Sequence, residues 1–97
     1  MLIHLGAGTS VCSEDILTLT DLQLPLSPDT AALLDAMKSL RQVRWLGKEP
    51  KTMILVRHEN KTVCYLSCVG LRTLRMRIEE ECTLLARLAA RSQTGDT

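Results

Sequence analysis

One apolar run constrains this chain more than any other feature. Residues 52–56 read TMILV, with no polar side chain after Thr52. A short apolar run bounded by turn residues reads as a buried strand. Here the boundaries are GKEP (47–50) before it and RHENK (57–61) after it. Residues 62–68, TVCYLSC, then return through a link of hairpin length. Two β-rich runs joined in that way read as an antiparallel pair. The chain is thereby committed to a β-sheet.

The rest of the sequence supplies what surrounds that pair. Residues 1–5 (MLIHL) read as a strand and GAGTS as a turn. Residues 16–22 alternate, with Ile16, Thr18 and Thr20 against Leu17 and Leu19, as a half-buried strand does. Ser27 suits a helix N-cap, Pro28 the first helical position and Asp29 the first turn. Leu33, Leu34, Met37 and Leu40 then form one apolar stripe, with Lys38 and Arg41 near the favourable C-terminal end. Residues 43–46 (VRWL) read as a short strand. A long helix follows from Leu71 to Arg91, with Leu71, Leu74, Ile78, Cys82, Leu85 and Leu88 or Ala89 at steps of three and four. The predicted order is ββαβββα. That is an α+β fold with a small, mainly antiparallel sheet, one short helix and a long C-terminal helix. Residues 1–91 read as one domain and 92–97 as a frayed tail.

The core of so short a chain is small. Its 97 residues include no Phe, and Trp45 and Tyr65 are the only aromatics, so Leu, Ile, Val, Met and Cys must fill it. Small scaffolds with such cores often rely on a partner subunit. No segment is long and apolar enough to span a membrane. The opening MLIHLGAGTS lacks the basic and apolar regions of a signal peptide, so a cytoplasmic location is expected. In that compartment Cys12, Cys64, Cys68 and Cys82 stay reduced. The Cys64–Cys68 spacing is formally open to zinc, but it falls in a predicted strand among apolar neighbours, where thiols are structural. His4 and His58 match no metal or catalytic pattern, and no glycine-rich phosphate loop is present. The chain is therefore read as a non-enzyme without metal, cofactor, small-molecule substrate or membrane partner.

Charge is distributed unevenly. Residues 1–37 hold five acids and no Lys or Arg, whereas residues 38–77 hold ten basic side chains against Glu49 and Glu59. Such asymmetry points to a polyanionic partner, to pairing with the acidic first third, or to a solvated face. Arg44, Lys48 and Lys51 bracket the turn before TMILV. Arg72, Arg75 and Arg77 crowd the start of the last helix, where the dipole disfavours them. Arg75 with Glu79 and Arg77 with Glu81 have i,i+4 spacing, while Arg72 has no acid so placed. Arg44, Lys48, Lys51, Arg72 and Arg75 are the candidate DNA-binding residues. With two aromatics, base stacking is poorly provided for, so the expected ligand is duplex DNA held by its phosphates.

Taken together, the opening MLIHLG, the helix start LSPDTAALLDAM, and PKTMILV followed by YLS and TLRMR resemble the extracellular matrix regulator family of small bacterial proteins, nearest its RemB-like branch. The resemblance covers about residues 1–78. It implies a β core akin to LytTR-type DNA-binding domains, homo-oligomeric assembly that includes a ring, and a role as a DNA-binding transcriptional regulator of biofilm matrix genes. Members carry basic residues in the turn that Lys48 and Lys51 occupy here. Lysine lacks the bidentate fork of arginine, which favours phosphate contact over base reading. Glu14 and Asp15 stand where members tend to be basic, so that patch either lies away from DNA or alters the role. The final helix beyond Ile78 exceeds the family's expected length. The alternative is an oligomeric interaction module that has lost DNA binding and works through that helix.

Overall fold

A computed structural model describes residues 2–95, with side chains from Leu2 to Arg91. At its centre β5 (Thr52–His58) and β6 (Lys61–Ser67) pair antiparallel, with Thr52 opposite Ser67 and His58 opposite Lys61. Both strands reach into RHENK, so the turn is only Glu59 and Asn60. Glu59 takes φ +58°, the left-handed region that tight hairpin turns use and that favours glycine. β3 (Ile16–Asp21) lies antiparallel to β5, and β4 (Val43–Trp45) lies parallel to β6, in the order β3-β5-β6-β4. The sheet is mixed at one edge, because the helix before β4 returns the chain to the end where β6 starts.

The structure has one strand more than the expected ββαβββα. β1 (Leu2–Gly6) and β2 (Thr9–Cys12) form a separate antiparallel pair. Thr9 and Ser10, read as part of a turn, open β2 instead. The turn shrinks to Ala7 and Gly8, whose φ values are +50° and +73°, after Gly6 ends β1 at +99°. A second departure lies in β3. Its register slips between Ile16 and Thr18, so Leu17 is an extra, 43% exposed residue. A bulge of this kind lets residues three apart share a face. Ile16 and Leu19 accordingly pack against the same core, which strict alternation forbids.

Both faces of the central sheet are covered, which explains why TMILV carries no polar alternation. On one face Met53, Leu55, Cys64 and Leu66 meet Met37 of α1 (Pro28–Ser39). On the other, Ile54 and Val56 meet Ile3, Leu5 and Leu74. The Ser27 hydroxyl accepts the Thr30 N–H at 3.2 Å, the expected cap. At the other end the Arg41 N–H reaches Lys38 O and the Gln42 N–H reaches Met37 O, with Arg41 at φ +57°. This is the Schellman arrangement with arginine where glycine is usual. Of the expected stripe only Leu34 and Met37 pack; Leu33 and Leu40 are 44% and 67% exposed.

The expected pair of buried thiols splits. Cys64 is fully buried, and burial pushes its thiol from 9.0 up to about 11 against the pull of the Lys38 ammonium. Cys68 lies past the end of β6 and is exposed. α2 (Leu71–Gly95) runs beyond its expected end at Arg91, through the first residues of the expected tail. Asp96 and Thr97, the remainder of that tail, lie outside the described residues. No helix among the described residues is long and apolar enough to cross a membrane.

Candidate nucleic-acid interface

Strand direction decides which charges share an end. β5 begins where β3, β4 and β6 finish, since Asp21 faces Thr52, Thr52 faces Ser67 and Trp45 faces Leu66. The 46–51 segment links β4 to β5, two strands whose common neighbour is β6, and so crosses the end of β6. There Gly47 meets Cys68: a Cβ on Gly47 would lie 2.0 Å from Cys68 Sγ, far inside non-bonded contact, so the thiol would have to move. Glycine at 47 lets the loop lie flat across the strand end. Lys51 is held from both sides. Its N–H donates to Ser67 O at 2.7 Å, and its carbonyl accepts from the Leu22 N–H at 2.9 Å. Both Lys48 and Lys51 are exposed.

The same end launches α2. Thr52 Oγ1 donates to Val69 O at 2.8 Å. Ser67 Oγ donates to Leu5 O and accepts the Val69 N–H at 3.0 Å. Both hydroxyls belong to fully buried residues. Burial without a partner is costly for a hydroxyl, so these bonds fix β1, β5 and the β6–α2 connection against one another. Arg77 adds a third tie, its Nη1 donating to His4 O at 2.6 Å. The first turn of α2 is therefore held to the strand end that carries Lys51. It has no acid. Arg72 is exposed there and Arg75 is exposed one turn further on. The positive end of the helix dipole thus gains further positive charge.

The five candidate residues do not all converge. Lys48, Lys51 and Arg72 share one end of the sheet, and Arg75 follows along α2. Arg44 turns back: its Nη1 donates to Arg41 O at 3.2 Å and Val43 O at 3.3 Å, at the junction of α1 and β4. Glu14 and Asp15 lie in a 3₁₀ turn (Ser13–Asp15) that leads into the far end of β3. The length of that strand puts them about 17 Å from the lysine end. Asp21 and Glu49 are the acids near that end, and Asp21 Oδ1 accepts the Gln23 N–H at 2.9 Å.

One pair escaped the sequence. Lys38 Nζ lies 5.6 Å from the centroid of Trp45, which is 57% exposed. Val43 and Trp45 share the α1 face of β4, which brings the indole under the last turn of α1. The spacing of Val43 and Trp45 carried that signal, but only once β4 was known to follow α1 closely in space. Trp45 is thus an exposed ring with Lys38 over it, whereas Tyr65 is half-buried beside the core. Among the described residues no group of three or more His, Cys, Asp or Glu could hold a metal ion. Compared with known proteins, the chain matches no family model and no curated protein.

Proposed function

We propose that this protein is a cytoplasmic, oligomeric DNA-binding regulator, of the kind that controls extracellular matrix genes, built on a LytTR-like core. The observation that carries the reading is the placement of Lys48, Lys51 and Arg72 at one end of the sheet, where bonds from Ser67 and Thr52 pin the Lys51 backbone and the entry to α2. Cations held at a set spacing lose less freedom on binding than cations on a loose loop. The mechanism is phosphate neutralisation and counterion release, which binds DNA without reading its sequence. One subunit alone binds at about 10⁻⁴ to 10⁻⁶ M. An oligomer repeats the patch and raises avidity by about 10²–10⁴. The separation of Glu14 and Asp15 from this end removes an obstacle to the reading.

The test is a salt series of duplex-DNA binding by the wild type and by the double variant Lys48→Ala, Lys51→Ala. The expected result is weaker binding with the slope of log K against log salt reduced by about 2, one phosphate per lysine. Identical slopes in both proteins would remove this end of the sheet from the mechanism.

A second reading is favoured by a separate observation: Leu84, Leu85 and Leu88 are each nearly half exposed. It makes the chain an interaction module that acts through α2. Deleting residues 84–97 separates the two, because DNA binding by the truncated subunit survives only under the first.

A further inference from the structure

The outer half of α2 needs a cover. Every side chain from Cys82 to Arg91 is exposed, and the molecule is drawn out to 55 × 28 × 26 Å. A solitary stretch this short is marginal as a helix in water. Its apolar residues are not scattered. Leu84, Leu85 and Leu88 fall within about 100° of arc, on the face that Leu74 buries nearer the root. The seam that packs on the domain thus continues into solvent past the buried Glu81, which interrupts it between the two halves.

Charge beside the seam selects the occupant. Glu80, Arg87 and Arg91 flank the Leu84 side, the acid toward the root and the two arginines toward the tip. Cys82 and Ala89 flank the other side and carry no charge. In a parallel pair of copies, opposite flanks meet, so Glu80 and Arg87 would face uncharged side chains. In an antiparallel pair, like flanks meet head to tail. A pair centred on Leu84 and Leu85 then sets Glu80 of each copy between Arg87 and Arg91 of the other. It also buries three leucines from each helix.

We infer that the outer half of α2 is a self-association surface that pairs antiparallel with the same segment of a second copy. This does not rest on DNA binding, because none of its residues lies at the lysine end of the sheet.

The test is light scattering on the full chain across a dilution series. The wild type is expected to dissociate from dimer, or a multiple of it, as it is diluted. Leu88→Glu is expected to have half the wild-type mass at concentrations where the wild type is assembled. Glu80→Arg alone, and Arg87→Glu with Arg91→Glu, are each expected to weaken association about tenfold, since each sets like charges together. An equimolar mixture of those two variants is expected to associate again, because both flanks then pair opposite charges. The substituted positions are exposed, and circular dichroism of each variant checks that the domain is folded. A wild type that stays monomeric, or one whose association ignores the charge variants and their mixture, overturns the proposal.

Discussion

The two halves of α2 share one sequence rhythm and have opposite surroundings. In the inner half, Leu74 is fully buried against β1 and the sheet, Ile78 packs beside it, and Arg77 is tied to β1. In the outer half, Leu85 and Leu88 continue the same three-and-four spacing and are 49% and 48% exposed. Periodicity reports that a helix has an apolar face; it does not report where the cover comes from. For the inner half the cover is the chain itself.

The largest test of that contrast is a pair of truncations. Leu74→Ala should cost about 2–5 kcal/mol, the range for a buried leucine in a rigid core. Leu88→Ala should change stability by no more than about 0.5 kcal/mol when the chain is dilute. Urea denaturation of both variants measures this, and equal costs would dissolve the distinction between the halves.

The second test uses pH. The Cys64 thiol is raised from 9.0 to about 11 in the folded chain. Above pH 9 the unfolded state loses its thiol proton while the folded state keeps it, so stability falls as pH rises toward 11 and is unaffected below 9. The loss is about 2–3 kcal/mol at most. It should carry the inner half of α2 with it, since that half depends on the core. Chemical denaturation of wild type and Cys64→Val at pH 8 and pH 11 isolates the effect. An equal drop in both proteins would mean that the thiol is not responsible.

A smaller effect is expected from the clasp at the root. Ser67→Ala leaves Leu5 O and the Val69 N–H without their hydroxyl partner. The expected cost is about 1–3 kcal/mol. Amide exchange should quicken at Val69 and in the first turns of α2, with the outer half unchanged. Acceleration spread evenly along α2 would show that the clasp does not hold the inner half selectively.

What could be read from the sequence was local. The β5–β6 hairpin announced itself through TMILV and its bounding turns, and α1 through Ser27, Pro28 and Asp29. The α+β class and the two helices followed from these. β2 stayed hidden because Thr9 and Ser10 follow two glycines, and the three positive φ values that shape the turn leave no periodic mark. The bulge at Leu17 could not be seen because it depends on what β3 pairs with. The parallel placement of β4 depends likewise on tertiary packing. The candidate interface shows the same division. Lys48 and Lys51 were legible as loop charges. That Arg72 joins them rests on bonds such as Ser67 to Leu5, 62 residues apart in sequence. Arg44 was read together with the loop cations, and its bonds to the backbone carbonyls of Arg41 and Val43 depend on how α1 turns into β4.

The bulge at Leu17 has one more consequence. An open sheet ends in two rows of unpaired backbone groups, and such edges recruit strands from other molecules. Here one edge, β4, is three residues long. The other, β3, is kinked at Leu17, which breaks the regular row of donors and acceptors. Neither edge is a good template for cross-strand growth into fibres. A chain whose central sheet resists backbone recruitment can reach high local concentration without seeding aggregation, and is left to choose its neighbours by side chain.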